Sequence, residues 1–281
     1  MSGASWPAPA KINLFLHINR QREDGYHELQ TVFQFLDFGD ELSFSITDDP
    51  AIRHSQPPAG IDKHNELCRR AARLLQQTCN IEQGVEITLT KRIPQGGGLG
   101  GGSSDAATTL QALNRLWGVS LSRDELIVLG LQLGADVPVF LRGQTAWAEG
   151  VGEKLTPIEL EPSWYVVISP DVQVATADIF AHPELTRDSP PITIRAFREG
   201  RVRNDLEPVV RKLYPQVDKA LRWLQSFGNP RMTGSGAGVF LPVADRVQGE
   251  EVLAQCPGEW AGFVARGLTQ SPLVERLAQE S

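Results

Sequence analysis

The chain has 281 residues, of which 41% are hydrophobic and 22% charged, which is typical of a globular protein with one large or two medium domains. A formal net charge of −7 argues against a nucleic-acid partner, because phosphate backbones bind clustered Lys and Arg. No stretch reaches the length of a membrane span, and we expect neither a membrane partner nor a signal peptide. Three widely spaced cysteines fit neither a disulfide framework nor a zinc site, so we expect reduced thiols in a cytoplasmic protein.

In the first half of the chain, the spacing of apolar residues predicts a mixture of strands and helices. Alternation over 12–18 indicates a strand that places Lys11 and Asn13 on one face. Ser122 and Glu125 match a capping box, so a helix should begin there and end at Gly134. The other expected elements are strands over 32–38, 42–46 and 85–89 and helices over 67–78 and 106–117.

The second half of the chain, after Gly152, carries shorter elements separated by prolines. The expected elements are strands over 164–168, 239–241 and 262–268 and helices over 206–213, 217–227 and 247–256. Because strands and helices mix without a regular βαβ alternation, we predict an α+β fold. Two lobes, residues 1–153 and 154–281, should meet near residue 153.

The run 94–107 is the most informative stretch, since six of the nine residues from Gly96 to Ser104 are glycine. Such a loop, between a strand and a helix, offers unpaired N–H groups and the positive end of a helix dipole to a phosphate. A P-loop would need Lys where Ser103 stands, and the dinucleotide fingerprint would need a strand and an acidic residue about 20 positions further on. A flexible linker is the remaining alternative, but the run ends in side chains suited to cap a helix, Ser103, Ser104 and Asp105. We therefore predict a phosphate site without a lysine.

Outside this loop, a few charged and aromatic side chains are candidates for chemistry. Asp136 follows a helix end, where capping a short helix is an equally good interpretation, and a strand lysine such as Lys11 commonly has no catalytic role. Beside a phosphate site, however, phosphoryl transfer to an alcohol needs a carboxylate for the hydroxyl proton and a cation for developing charge. Tyr26 and His27 have the groups to stack on and hydrogen-bond a planar base, although anchoring of a loop is the simpler interpretation. Three further histidines lack metal-like spacing and are expected at the surface: His54, His64 and His182.

Three segments together resemble the motifs of the GHMP small-molecule kinases, namely 9–14, the glycine loop 94–107 and 233–237. The segments 24–27, 134–140 and 149–153 are similar to members of that family whose acceptor alcohol carries a cytidine diphosphate. The likeness spans nearly the whole chain, from residue 9 to about residue 272. The resemblance implies an ATP-binding lobe similar to ribosomal protein S5, a smaller C-terminal α+β lobe on the substrate side, and an active site in the cleft between them.

The resemblance also implies roles for individual residues. It makes Asp136 the catalytic base, Lys11 its charged partner, and Asn13 a substrate-binding neighbour of both. ATP would be bound by Gly96, Gly97, Gly98, Leu99, Gly100, Gly101, Gly102, Ser103, Ser104, Asn65, Gly234 and Ser235. Mg²⁺ would arrive with the nucleotide rather than in a protein cage, and Ser103 or Ser104 is a candidate ligand.

The substrate side of the site follows from the same resemblance. Tyr26 and His27 would hold the cytosine, and Phe180 would stack on its other face. Two other functions stay open: a kinase of this fold acting on homoserine, mevalonate or a sugar, and a nucleotide-binding sensor without catalysis. Tyr26 and His27 favour a base-bearing acceptor, and the pair Lys11 and Asp136 argues against a sensor, because a binding protein needs no proton acceptor. The sequence does not decide between a monomer and a weak homodimer.

Overall fold

The computed structural model describes residues 5–55 and 66–279. In these two ranges the chain forms ten strands and ten helices. The strands are β1 (Trp6–Gln21), β2 (His27–Thr47), β3 (Ile52–His54), β4 (Gly84–Thr90), β5 (Ala146–Glu149), β6 (Lys154–Pro157), β7 (Trp164–Ser169), β8 (Arg231–Met232), β9 (Val239–Val243) and β10 (Ala261–Leu268). The helices are α1 (Leu67–Thr78), α2 (Gly101–Leu116), α3 (Arg123–Leu133), α4 (Val137–Arg142), α5 (Thr176–Ala181), α6 (Ile194–Arg198), α7 (Glu207–Leu213), α8 (Pro215–Gln225), α9 (Arg246–Leu253) and α10 (Pro272–Gln279).

One sheet contains all the strands, in the order β3-β4-β2-β10-β7-β9-β8, with β1 and β5 also paired to β2. All strand pairs are antiparallel except β3 with β4. The last strand, β10, pairs with both β2 and β7 and so connects strands from the two halves of the chain. A mainly antiparallel sheet packed with helices is the architecture of the α+β class.

The strand β2 is longer than the sequence predicts. Separate strands over 32–38 and 42–46 were expected, whereas β2 continues through both. The break in the apolar pattern at residues 39–41 is explained by packing. A Cβ at Gly39 would stand 2.5 Å from the carbonyl oxygen of Ala8, so this glycine allows β1 to approach closely. The neighbouring Asp40 is buried and accepts the backbone N–H groups of Arg92 and Ile93 at 2.6 and 2.7 Å.

The strand β1 runs through three apolar clusters. Trp6 and Ala8 pack with α1–α4, and Leu16 and Ile18 pack with α7, α8 and β9. The middle of the strand, around Ile12, lies in a third cluster between the other two. Both faces of β1 are therefore covered, which places the polar side chains at its centre inside the molecule. The lobe boundary at 153/154 stays a prediction, although β6 pairs with β5 and α10 packs against β1.

Most helices lie where the periodicity of apolar residues predicts them, but α2 begins earlier than predicted. The capping box of Ser122 and Glu125 opens α3 as predicted. In α2, by contrast, the N-cap is Gly100, and Ser103, Ser104 and Asp105 lie inside the helix instead of capping it. The prediction was wrong because Gly100, a glycine with a left-handed backbone, turns the chain into the helix three positions before Ser103, the first side chain suited to capping. Among the helices described, none is long and apolar enough to cross a membrane.

Candidate active site

A cavity of about 790 Å³ lies where the glycine loop, β1, β2 and the segments around α4 and α5 meet. Its wall includes Lys11 and Asp136 from the first half of the chain and Phe180 and Ser235 from the second half. The two predicted lobes thus both contribute to it. The cavity is large enough to hold small-molecule ligands rather than a few waters.

The ammonium of Lys11 is fixed at the bottom of this cavity by buried polar groups. Its Nζ donates to Oδ1 of Asn13 at 2.6 Å, as expected for two residues on one face of a strand. Asn13 in turn donates from Nδ2 to the hydroxyl of Thr31 at 2.9 Å, and its backbone N–H donates to Oγ1 of Thr233 at 2.8 Å. The ammonium also lies 5.3 Å from the centre of the Phe33 ring. Lys11 is 3% exposed, so its charge has a fixed position.

The carboxylate of Asp136 completes an ion pair with this lysine. Asp136 occupies the N-cap position of α4, but its side chain makes no capping hydrogen bond. Its Oδ2 instead lies 3.2 Å from Nζ of Lys11. Asp136 is 37% exposed, so it remains open to a molecule in the cavity, whereas the lysine paired with it is buried. The capping interpretation of the sequence is therefore not the one that the structure supports.

The glycine loop forms the wall beside this ion pair by packing against the second glycine cluster, residues 233–238. The carbonyls of Gly96 and Gly97 accept backbone N–H groups of Ala237 and Gly238 at 2.9 and 3.1 Å. A Cβ at Gly98, whose φ is +67°, would stand 2.5 Å from the carbonyl oxygen of Thr233. At Gly100 a Cβ would meet the Phe140 ring at 2.7 Å. Only glycine satisfies both the backbone angle and the space at these positions.

The first turn of α2 brings unpaired N–H groups to the same wall. Ser103 lines the cavity, whereas Ser104 is fully buried and its hydroxyl has no partner in the described part of the chain. Behind the loop, Lys91 lies between two carboxylates, 2.5 Å from Oδ2 of Asp40 and 2.8 Å from Oδ2 of Asp105. Burial, with a smaller effect from Asp40, raises the pKa of Asp105 to about 7, although Lys91 acts in the opposite direction.

Aromatic side chains line the opposite side of the cavity. Tyr26 is exposed, and the ring centres of His27 and Phe180 lie 5.1 Å apart. Burial, followed by the positive charge of Arg187, lowers the pKa of His27, so this ring is neutral at neutral pH. Two neighbouring rings and an exposed phenol in one cavity are suited to a planar ligand group.

Comparisons with known proteins identify the family of this chain. The family model of the GHMP kinases N terminal domain matches residues 66–144, and that of the GHMP kinases C terminal domain matches residues 192–262. A 4-diphosphocytidyl-2-C-methyl-D-erythritol kinase from Alkalilimnicola ehrlichii is 58% identical over 275 residues, which cover 98% of this chain and 94% of the relative. The chain belongs to the GHMP kinase family.

Other GHMP kinases extend the comparison. A 4-diphosphocytidyl-2-C-methyl-D-erythritol kinase from Shewanella woodyi is 54% identical, with 98% of this chain and 97% of the relative covered. A crystal structure of a 4-(cytidine 5'-diphospho)-2C-methyl-D-erythritol kinase has a TM-score of 0.83 at 33% identity and covers 94% of this chain and 99% of its own. The mevalonate kinase of Methanococcus jannaschii, with a TM-score of 0.70 at 18% identity over 95% of this chain and 99% of its own, shows the shared fold. The predicted α+β, two-lobed GHMP kinase fold is confirmed, and this family uses ATP as the phosphoryl donor.

Within this GHMP kinase, most of the residues predicted for the site line the same cavity. They are Lys11, Asn13, Tyr26, His27, Gly96, Gly98, Gly100, Ser103, Asp136, Phe180, Gly234 and Ser235. The remaining loop residues do not line it: Gly97, Leu99 and Ser104 are buried, whereas Gly101 is partly exposed and Gly102 exposed. The carbonyl of Leu99 accepts the backbone N–H of Lys11 at 3.0 Å. Asn65 lies outside the described residues. The roles of all these residues in binding and catalysis stay predictions.

Sequence reasoning also left some positions without a role or placed them wrongly. Phe33 and Arg187 had no signal in the sequence, because each acts through partners far away along the chain. His54 was expected at the surface, but its side chain is buried, with Nδ1 lying 3.2 Å from Oε2 of Glu66. The reason is that β3 lies next to β4 in the sheet and beneath the start of α1. His64 lies outside the described residues, and His182 is partly exposed.

Few protein groups are available to hold a metal ion. Within residues 5–55 and 66–279, no group of three or more His, Cys, Asp or Glu side chains is arranged to bind one. A Mg²⁺ that keeps its ligands from nucleotide phosphates and water needs only one or two protein oxygens. The hydroxyl of Ser103 and the accessible carboxylate of Asp136 are oxygen ligands of the kind that this ion takes, so the site fits a metal that arrives with the nucleotide.

Proposed function

We propose that this chain is an ATP-dependent kinase that transfers the γ-phosphoryl group to the 2-hydroxyl of 4-diphosphocytidyl-2-C-methyl-D-erythritol. The product is the 2-phosphate, an intermediate of the non-mevalonate route to isoprenoids. Relatives that share 58% and 54% of its residues over nearly its full length carry the name of that kinase. The observation that supports the proposal most strongly is the ion pair of Lys11 and Asp136, which lines one cavity together with the glycine loop and the ring-lined pocket formed by Tyr26, His27 and Phe180.

The glycine loop and α2 would bind the triphosphate of ATP. The backbone N–H groups at the start of α2 have no helical partners, and the helix dipole adds positive potential there. Close packing of residues 96–98 against residues 233–238 fixes the positions of these donors before ATP arrives. Such an arrangement favours phosphoryl transfer because the protein mainly has to position the reactants and stabilise charge.

The ion pair would act on the acceptor. Asp136 is accessible and would accept or orient the proton of the 2-hydroxyl, so that the oxygen attacks the γ-phosphorus in line with the leaving ADP oxygen. The buried ammonium of Lys11, held by Asn13, would stabilise the negative charge that develops on the transferred group and keep the carboxylate in place. The hydroxyl loses a proton as the new P–O bond forms and the bond to the β-phosphate oxygen breaks.

The rings at the other end of the cavity would bind the cytosine. Tyr26 and Phe180 offer aromatic faces for stacking, and His27 offers a ring nitrogen for a hydrogen bond. A substrate whose cytosine lies among these rings would bring its alcohol toward Asp136, because both the rings and Asp136 line the same cavity. We assign ATP binding to the lobe 1–153 and the substrate-side contacts of Phe180 to the lobe 154–281.

Mg²⁺ would be held by ATP oxygens together with the hydroxyl of Ser103, while Ser104 is the poorer candidate because its hydroxyl is buried. When bound, this ion neutralises charge on the phosphates. We also propose that the protein is cytoplasmic and that it acts as a monomer or a weak homodimer.

The test is a coupled assay of ATP turnover with three purified acceptors: 4-diphosphocytidyl-2-C-methyl-D-erythritol, homoserine and mevalonate. We expect ADP to form only with the first, together with a product heavier by one phosphoryl group in mass spectrometry. Turnover with homoserine or mevalonate instead would show that the pocket recognises a different acceptor. ATP binding without turnover of any acceptor would favour a sensor.

A further inference from the structure

Arg187, in the loop after α5, connects two walls of the ring-lined pocket. Its Nε donates to Nε2 of His27 at 3.2 Å, across 160 positions of the sequence. One terminal nitrogen donates to the carbonyls of Phe180 and His182 at 2.7 and 2.9 Å, and the other donates to the carbonyl of Leu185 at 3.1 Å. The guanidinium is partly buried, and in the described part of the chain no carboxylate lies within 4.0 Å of it.

These contacts determine how His27 carries its proton. An arginine Nε–H group is only ever a donor, so Nε2 of His27 must accept and cannot carry a hydrogen. The proton of the neutral ring is therefore on Nδ1, which has no partner in the described part of the chain. Since His27 lines the cavity, Nδ1–H is the group that this ring has left for a ligand.

We infer that Arg187 is a positioning residue for recognition of the substrate's base: its guanidinium fixes the orientation and tautomer of His27 and ties that ring to the backbone of Phe180. This inference rests on the proposed function, because that function assigns the two rings to a pocket for the substrate's base. The two walls come from β2 and α5, which are distant in sequence, and the guanidinium holds them together before the substrate arrives. A preformed pocket binds more tightly because less ordering remains to be done on binding.

A purely structural role for Arg187 would give a different result in kinetics. An arginine that only supports the loop after α5 would change stability and all kinetic constants together. A residue that orients His27 affects binding of the cytosine-bearing substrate and leaves ATP binding and the chemical step as they are. The Michaelis constants for the two substrates therefore distinguish the two roles.

The experiment compares the full-length wild type with Arg187→Met and Arg187→Lys. Arg211→Met is the matched control, because Arg211 is also a partly buried arginine in the second half of the chain but pairs with Asp218 on α8, away from the cavity. We expect Arg187→Met to raise the KM for 4-diphosphocytidyl-2-C-methyl-D-erythritol and the Ki of cytidine 5'-diphosphate about tenfold. The KM for ATP and kcat should not change. Arg187→Lys should behave similarly, because one ammonium cannot span the imidazole and the carbonyls together.

A pH profile adds a readout that loop support alone would not move. Among the described residues, Arg187 is the one charged side chain that acts on the pKa of His27, and burial acts in the same direction. Without the guanidinium, protonation of the imidazole becomes easier. In Arg187→Met, the protonation of His27, followed by NMR of its ring, should therefore begin at a higher pH than in the wild type.

The outcomes separate the inference from the function on which it rests. Absence of turnover of the cytidine-bearing substrate by the wild type would overturn the proposed function, and the affinities for cytidine 5'-diphosphate would then decide the inference alone. A wild type that is active, together with an Arg187→Met variant whose substrate KM and pH profile match those of Arg211→Met, would overturn the inference. If circular dichroism shows Arg187→Met to be unfolded, the same comparison with Arg187→Lys decides.

Discussion

Replacement of Gly98 by alanine tests whether the glycine loop depends on its close packing. Gly98 and Gly118 have the same backbone angle, a φ of +67°, but different surroundings. A Cβ at Gly118 would meet nothing within 4 Å, whereas one at Gly98 would stand 2.5 Å from the carbonyl oxygen of Thr233 and 3.1 Å from that of Gly236. Gly118→Ala is therefore a control for the backbone cost alone.

The magnitudes follow from these two environments. An alanine in the left-handed region costs about 1–2 kcal/mol, so Gly118→Ala should lower the free energy of unfolding by about that amount. Gly98→Ala carries the same cost and adds the collision with the backbone of residues 233–236, which contributes about 1–3 kcal/mol more. Movement of that segment would also displace Thr233, whose hydroxyl accepts the backbone N–H of Asn13 beside Lys11.

The assay combines urea denaturation with steady-state kinetics in ATP. Gly118→Ala should keep the kcat/KM for ATP of the wild type. Gly98→Ala should lose about 100-fold, because a displacement of about 1 Å at a reacting centre costs that much. If Gly98→Ala were as stable and as active as Gly118→Ala, the close packing of the two glycine clusters would not support the phosphate site.

Two further predictions concern the start of α2. Ser103→Ala should raise the Mg²⁺ concentration needed for half-maximal activity and Ser104→Ala should not, because only Ser103 lines the cavity; equal requirements in both variants would exclude a serine ligand. The pKa of Asp105 is raised from 3.8 to about 7 by burial and Asp40, so the folded chain holds a proton that the unfolded chain releases. The stability from this carboxyl is complete below about pH 4 and is lost as the pH rises through about 7. Asp105→Asn should flatten that decline in urea midpoints, and parallel curves for variant and wild type would contradict the assignment.

The sequence predicts the elements whose pattern is local. The helix over 67–78 and the capping box at Ser122 depend on residues within a few positions of one another, and both are found where expected. The start of α2 was placed too late because a capping side chain is a common signal, whereas a left-handed glycine in a run of glycines has no distinct signature. The length of β2 was missed because Gly39 fits against β1, which the local pattern does not show.

The site was predictable in its parts but not in its connections. The residue types at Lys11 and Asp136 indicated phosphoryl transfer only in combination with the phosphate loop, and the family resemblance made the lysine the charged partner of the aspartate. The hydrogen bond from Arg187 to His27 spans 160 positions, and no periodicity in the sequence reports a contact of that range. Similarly, burial of His54 depends on the pairing of β3 with β4, which is set by the sheet as a whole.

The most direct test of the account is the activity of Asp136→Asn, with Asp124→Asn as its control because Asp124 is an exposed carboxylate that does not line the cavity. We predict that kcat of Asp136→Asn falls by about 10²–10⁴, the usual contribution of a positioned acid or base, while calorimetry gives unchanged affinities for ATP and cytidine 5'-diphosphate. Asp124→Asn should turn over like the wild type. A kcat for Asp136→Asn equal to that of Asp124→Asn would contradict the assignment of proton transfer to the ion pair of Lys11 and Asp136.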